Sequence, residues 1–521
     1  MTRNRFTRRR FMHGLATTGA AVFAGPYILR AAEPNKEKLR IAFVGTGGRA
    51  ANHVGALDLA SETCLCYTDA DRKAWGNIEK KLGQGDAPAQ AKGYTDYRKM
   101  FDKHEKDYDA VFVAVPDNHH APASMRALRQ GKAVYCEKPL TWSIEEARAM
   151  AKLSREKKIP TQMGNQGHAN EGNRQIVEWV RGGVIGDVLE VHTWTNRPIW
   201  PQGNIDYKPA PTPESLDWEA WIGPAKKRPY AVFSKGPVNG RPSPFHPFNW
   251  RGWYDFGCGA IGDMGCHTWD SVFWSMAPDY PASVELLKIV EHTDETYPKQ
   301  SIFRWNFPEK NGRKGFAAYW YDGGLHPEIP EEIKDDPFDY TRISSEGGGR
   351  KKEKKKNKKK GGNSVSSAGG LYLGADVPEG KKGANVDSER PQHMGELAKS
   401  GNIYIGTKGK ILVVGDYGNE PRIIPSKVHE QTQFPAPSIP RSPGHREEFI
   451  MAARGDKPWD FPGSNFSGYA SPITEVMLLG AIAQKIGQVG FKIECDPVKR
   501  EILTKEAAKY MSREYHNGWE L

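Results

Sequence analysis

The chain has 521 residues, 38% hydrophobic and 26% charged, enough for two or more domains with buried cores. Its formal net charge of +11 is concentrated in two places: residues 1–31 hold six Arg and no acid, and residues 350–360 hold nine Lys or Arg against one Glu. The rest is slightly acidic, which argues against a nucleic-acid-binding body, and the six cysteines show neither C-x-x-C nor a zinc-ligand spacing.

Thr7 to His13 (Thr-Arg-Arg-Arg-Phe-Met-His) resembles a twin-arginine export signal, with Arg8 and Arg9 as the pair. An apolar, small-residue stretch from Gly14 to Leu29 follows, so residues 1–32 are expected to be a signal removed after Ala31 or Ala32. The mature protein is then expected outside the cytoplasm, in the periplasm or its equivalent, with no integral membrane segment. That route carries folded proteins, so a nucleotide could be loaded before export.

Leu39 to Val44 is mostly apolar, as a strand buried on both faces should be. Gly45, Thr46, Gly47, Gly48, Arg49 and Ala50 follow in a G-x-G-x-x-A pattern, predicted to turn tightly into a helix running to about Ala60. Such a turn lets backbone approach a pyrophosphate at a helix N-terminus. A second strand, Glu62 to Tyr67, ends near Asp69, the acidic residue this fingerprint requires. A carboxylate there accepts from an adenosine ribose and favours NAD. Arg72 nearby could instead receive the extra phosphate of NADP, and Asp69 could alternatively cap the next helix.

Tyr108 to Pro116 reads as a third buried strand, followed by Asn118, His119, His120 and a helix to about Gln130. Lys132 to Cys136 is a fourth strand, ending in Glu137-Lys138-Pro139. A helix from Ser143 to Lys157 leads to the strand-like Pro160 to Met163. Strands alternating with helices at this spacing indicate βαβ units in a parallel sheet, whose strand ends bind ligands. Lys138 would lie there; the plain alternative is a solvated turn lysine.

The glycine motif, the Val115-Pro116 strand end and Glu137-Lys138-Pro139 together resemble the glucose-fructose oxidoreductase/inositol dehydrogenase/MocA family. That resemblance implies an α/β fold: an N-terminal Rossmann doubly wound parallel sheet over 36–165, then an α+β domain over 166–521 with a large, mostly antiparallel sheet. It implies a cofactor site built from Gly45, Thr46, Gly47, Gly48, Arg49, Asp69, Pro116, His119, Glu137 and Lys138. Lys138 would stand in the active site, with Pro139 fixing the backbone beside it.

Gln162 to Gly167, which includes Asn165, and a helix from Glu171 to Arg181 open the second part, followed by a strand from Val188 to Asn196. Residues 197–253 are rich in Pro, Gly and Trp and read as an ordered excursion. Trp200, Trp218, Trp221, Trp250 and Trp253 there could partly wall a sugar ring, or simply pack. In the stretch Gly257 to Asp270, Asp263 and His267 are spaced i, i+4 and share one face of a helix. By the family resemblance, His267 would be the general base and Asp263 its neighbour, orienting substrate or imidazole. A core His satisfied by a carboxylate is the structural alternative, and Asp270 reads as structural.

Val284 to Glu291, Ser301 to Phe307 and Gly315 to Tyr321 are strand-like and match the family's broad sheet, often an oligomer interface. Residues 344–370, with their lysine run between glycines, are expected to form a disordered loop. Asn402 to Ile405 and Lys410 to Val414 form a predicted hairpin. Helices are expected from Gly444 to Arg454 and from Ser471 to Ile486, with a closing strand from Phe491 to Glu494. His445 could reach the substrate or lie on the first-turn surface.

The expected function is NAD(P)-dependent hydride transfer at a secondary hydroxyl of a sugar, polyol or glycoside, with no metal. Outside the cytoplasm there is no nicotinamide pool, so the cofactor should be tightly held. Asn165, Trp253 and His445 are candidate substrate contacts, and a homo-oligomer is expected. Two alternatives stand: a redox-neutral NAD-dependent glycosidase or epimerase passing through a keto-sugar, and a non-catalytic carbohydrate-binding protein. Intact Lys138, Asp263 and His267 argue against the latter.

Overall fold

The computed structural model describes residues 38–84, 91–341 and 395–521. The expected signal segment 1–32 and the lysine-rich loop 344–370 lie outside the described residues.

The first sheet is built from β1 (Leu39–Val44), β2 (Glu62–Thr68), β3 (Lys92–Tyr94), β4 (Ala110–Val113), β5 (Ala133–Cys136) and β6 (Thr161–Met163). These strands lie in the order β3-β2-β1-β4-β5-β6, every neighbouring pair parallel. The connecting helices are α1 (Gly48–Gly55), α2 (Gly76–Leu82), α3 (Tyr97–His104), α4 (Asp117–Arg129) and α5 (Ile144–Glu156). The order reverses between β1 and β4, which opens a crevice at the carboxyl ends of the strands. α5 starts on a capping box: Ser143 Oγ accepts from the Glu146 N–H and Glu146 returns the bond to the Ser143 N–H. α1 is shorter than the sequence predicts, ending at Gly55. The edge strand β3 has only three residues, too few for a periodic signal.

After α6 (Glu171–Arg181) and β7 (Val188–Trp194), the excursion holds a small antiparallel pair, β8 (Tyr207–Pro209) and β9 (Ala231–Phe233), around α7 (Trp218–Ile222). α8 (Gly259–Thr268) and α9 (Asp270–Met276) precede β10 (Ser283–Val290), β11 (Gln300–Phe307), β12 (Phe316–Tyr321) and α10 (Glu331–Lys334). β13 (Gly401–Gly406), β14 (Lys410–Val414), β15 (Asn419–Ile424), α11 (Ser426–Gln431), α12 (His445–Ala453), α13 (Ser471–Ile486), β16 (Lys492–Asp496), β17 (Glu501–Ile502) and α14 (Lys505–Ala508) complete the described chain.

The second sheet has nine strands in the order β15-β14-β13-β7-β12-β11-β10-β16-β17, with β7 and β12 its one parallel pair. β11 shows why this face is buried: Ser301, Phe303, Trp305 and Phe307 alternate inward. That inner face, α8, α13, α5 and one face of the first sheet share one continuous hydrophobic core. The opposite face of the first sheet is covered by a distant segment, since Phe449 and Ile450 of α12 pack with Ile41, Phe43, Phe112 and Tyr135. Residues 38–165 are therefore not a self-sufficient layer; part of their core arrives from beyond residue 440.

Candidate functional site

The glycine turn leaves β1 as the pattern requires. Gly45 has φ +95°, and a side chain there would place Cβ 2.3 Å from the Ala114 carbonyl oxygen. Gly48 has φ +50° with nothing near its would-be Cβ. α1 begins on Gly47 without a side-chain cap and without an acid in its first turn, so its free N–H groups suit an anion such as a pyrophosphate.

Asp69 clasps this turn. Its Oδ2 accepts from the Thr46 N–H at 2.9 Å and the Gly47 N–H at 3.2 Å, and its Oδ1 accepts from the Asp71 N–H at 3.0 Å. Burial raises its carboxyl pKa despite these bonds. The helix-capping role belongs instead to Asp71, which accepts from the Lys73 N–H. The Arg72 guanidinium turns away to the Glu214 carbonyl.

Glu137 is buried beneath the turn. It accepts from Arg49 Nε at 3.1 Å and lies 2.8 Å from His53 Nε2. Burial opposes its charge, but the Arg49 guanidinium and the His53 hydrogen bond outweigh it and hold the carboxyl well below its usual range. Burial lowers His53, so its imidazole is neutral at neutral pH. Glu137 thus fixes the side chain of Arg49 at the start of α1.

The next residue crosses to the second domain. Lys138 Nζ donates to the Asp263 carbonyl and to Asp263 Oδ1, each at 2.8 Å. Arg251 Nε donates to the same Oδ1 at 3.1 Å. Burial works against the Asp263 carboxylate, yet Lys138 and Arg251 hold it strongly ionised. One turn on along α8, His267 is buried with no hydrogen bond to its Nδ1 among the described residues, and its ring meets Tyr417 edge-on at 5.0 Å. Burial, then the Lys138 charge, push its pKa well below the usual imidazole value. A neutral imidazole beside an ammonium can accept a proton from a hydroxyl that the ammonium polarises.

Three neighbours lacked a sequence signal. Arg251 comes from the excursion, its guanidinium set against the rings of Trp250 at 4.3 Å and Phe248 at 4.4 Å. Tyr417 arrives on the turn between β14 and β15. Asp117, the first residue of α4, accepts from the Cys258 N–H at 3.0 Å. Burial pushes its carboxyl up to about 7 against the pull of Lys138 and Arg251. Residues scattered from 117 to 417 share no spacing, so no periodicity could join them.

The remaining predicted residues fall as follows. Pro116 precedes α4 at the crevice. Asn165 follows β6; its Nδ2 donates to Asp270 at 2.9 Å and its Oδ1 is buried without a partner among the described residues. Asp270 also receives Asn173 and the Tyr469 hydroxyl and bonds His168, which makes it the structural hub its sequence context suggests. His119 has both ring nitrogens engaged, by Tyr97 at 3.2 Å and the Trp221 carbonyl at 2.8 Å, so it fastens the excursion to α4. His445 is buried, its Nε2 2.7 Å from the Met163 carbonyl, and so does not lie on the surface. Trp253 is 1% exposed, its Nε1 donating to the Pro244 carbonyl inside an aromatic core with Tyr207 and Phe245. Trp200, Trp221 and Trp250 are buried too, and Trp218 stacks on Trp221 at 4.7 Å. These tryptophans pack within the excursion and hold it together. All six cysteines are buried free thiols.

Two family models match this chain. Residues 39–165 match the model of the GFO_IDH_MocA oxidoreductase family described as its NAD-binding Rossmann fold, and residues 172–305 match that family's C-terminal alpha/beta domain. Together they cover half of the chain. Among curated proteins it is 30% identical over 161 residues to glycosyl hydrolase family 109 protein 1 of Akkermansia muciniphila, covering 30% of this chain and 33% of that one. It is 28% identical over 186 residues to D-xylose 1-dehydrogenase [NADP(+)] of Haloarcula marismortui, covering 35% and 48%. The matches therefore span between a third and a half of these relatives' lengths. In fold it resembles the WlbA dehydrogenase from Bordetella pertussis, solved in complex with NADH and UDP-GlcNAcA, with a TM-score of 0.51 and 16% identity over 88% of this chain and 99% of that one. The chain belongs to the Gfo/Idh/MocA family of oxidoreductases, and its N-terminal sheet is that family's NAD-binding Rossmann fold.

Proposed function

We propose that the protein is an exported, NAD(H)-dependent oxidoreductase acting at a secondary hydroxyl of a sugar, polyol or glycoside. What supports this reading most is the cluster of Lys138, Asp263 and a neutral His267 whose Nδ1 has no hydrogen-bond partner among the described residues. NAD would be held by the turn Gly45–Arg49, and it would accept or return the hydride. The chain's own residues do the rest. Lys138, anchored on Asp263, presents its remaining N–H to the substrate oxygen and stabilises alkoxide charge as it develops. The His267 imidazole takes the hydroxyl proton in oxidation and gives it back in reduction. Asp263 keeps the ammonium and Arg251 in register. The twin-arginine-like segment supports export with the cofactor already aboard and recycled within each turnover. A homo-oligomer through the broad second sheet completes the reading, as the family resemblance implies.

A second reading has a specific motive. A relative 30% identical over its matched part is named as a family 109 glycosyl hydrolase. The same Lys138–His267 pair would serve a redox-neutral path in which transient oxidation enables cleavage. The test is to purify the exported chain, denature it and identify the released nucleotide. The intact protein is then incubated with sugars and glycosides. A keto-sugar with reduced cofactor supports the dehydrogenase; cleavage without net reduction supports the glycosidase. No nucleotide and no binding of added NAD(H) or NADP(H) would sink both. His267→Ala should abolish turnover and leave nucleotide bound; unchanged turnover removes His267 from its role.

A further inference from the structure

We propose that residues 215–222 and His246 of the excursion form the wall of the adenosine half of the dinucleotide site, and that the C-terminal tail locks this wall shut. The proposal rests on the reading above, in which the chain works with a bound dinucleotide.

In a sheet of this strand order the nucleotide lies across the carboxyl ends, and residues just past β2 meet the adenosine ribose. Here those residues are paired with the excursion. The Asp217 N–H donates to the Ala70 carbonyl at 2.8 Å, the Arg72 N–H donates to the Ser215 carbonyl at 2.9 Å, and Asp71 bridges Leu216. His246 Nε2 lies 3.0 Å from Asp71 Oδ2, and Thr95 Oγ1 donates to Asp217 Oδ2 at 2.9 Å. The same segment then reaches the residues past β4, where Asn118 Nδ2 donates to the Ile222 carbonyl at 3.1 Å and His119 Nε2 lies 2.8 Å from the Trp221 carbonyl. Residues 215–222 therefore bridge the residues past β2 to those past β4, the two strands that flank β1 and its glycine turn in the sheet. A few residues beyond His246, Arg251 touches Asp263, so one segment borders both ends of the site.

The tail fastens this wall from behind. Asn517 Nδ2 donates to the Gly223 and Ala225 carbonyls at 2.9 and 2.8 Å, and the His516 N–H donates to the Pro224 carbonyl at 3.1 Å. Arg513 donates to the Asn118 carbonyl at 3.1 Å. The Trp519 ring lies against Tyr97 and His119 with the Arg98 guanidinium 3.9 Å above it. A dinucleotide leaves this site only when residues 215–222 lift off, and lifting them breaks the tail contacts too. Slow exchange follows, without any contact from the tail to the nucleotide itself.

The test uses the full chain. Amide hydrogen exchange is followed with and without added NAD⁺, and release of bound nucleotide is followed by a chase of labelled NAD⁺. NAD⁺ should slow exchange at residues 214–223 as well as at 45–49. Asn517→Ala removes two hydrogen bonds far from any reacting atom and should speed release about tenfold or more; His246→Ala should do likewise. Protection confined to the glycine turn, or release within twofold of the unmodified chain in both variants, overturns the wall while leaving nucleotide binding intact. A chain that takes up no NAD(H) or NADP(H) overturns the wall and the proposed function together. The exchange measurement on the unmodified chain decides the matter even if a variant fails to fold.

Discussion

Replacing Lys138 by Met isolates what its ammonium contributes. An ammonium has three N–H donors, and here two are spent on Asp263, each at 2.8 Å. One donor is left for a substrate oxygen. Losing one oxyanion donor in a largely dry site costs about 10²–10³ in kcat, or about 3–4 kcal/mol. Asp263 keeps Arg251 at 3.1 Å, so the variant should fold and bind nucleotide. A second effect has a fixed sign. After burial, the Lys138 charge is the largest influence lowering His267. Without it the imidazole pKa rises toward its ordinary value, and the acid limb of kcat/KM moves to higher pH. The assay is steady-state turnover of the substrate found by the sugar screen, from pH 4.5 to 8. A kcat within about threefold of the unmodified enzyme, or an acid limb that stays put or moves lower, would refute the reasoning.

Gly45→Ala sets a Cβ 2.3 Å from the Ala114 carbonyl at φ +95°, whereas Gly48→Ala meets nothing within 4 Å at φ +50°. Urea unfolding should show a loss of about 3 kcal/mol or more for the first and about 1 kcal/mol for the second; equal losses would contradict the geometry. Glu137→Gln weakens the bonds to the partly exposed Arg49 and to His53 and should cost about 1–3 kcal/mol at neutral pH. Because the folded Glu137 pKa is depressed, its contribution is present above the usual Glu value and disappears as pH falls through the folded one. The gap between the two proteins should close in acid. Asp117 has the opposite sign: its folded pKa is raised to about 7, so its contribution to stability declines as pH rises from the usual Asp value toward 7. Asp117→Asn should flatten that slope between about pH 4 and 7 in denaturant midpoints.

The local chemistry of this protein was legible in its sequence. An apolar six-residue run ending in G-x-G-x-x-A defines a strand, a turn and a helix start whatever surrounds it, because positive φ and close backbone approach are demands on single residues. Asp263 and His267 share a face because a helix repeats every 3.6 residues. Glu137-Lys138-Pro139 marked a strand end, and the resemblance built on it supplied the family. The tertiary structure decided which side chains meet. Nothing in the spacing of residues 138, 251, 263 and 417 says that Lys138 and Arg251 share one carboxylate oxygen, or that Tyr417 covers His267. The tryptophans of residues 197–253 were ambiguous for the same reason: an aromatic ring buries equally well against a sugar or against another ring, and here the rings chose each other. Asp69, His119 and His445 are polar groups that each bond at least one backbone atom from another segment. α12 seals the first sheet from far along the chain, packing Phe449 and Ile450 on residues between Ile41 and Tyr135. Pattern in a sequence reports what neighbours along the chain must do; the site depends on neighbours in space, and those are chosen by packing.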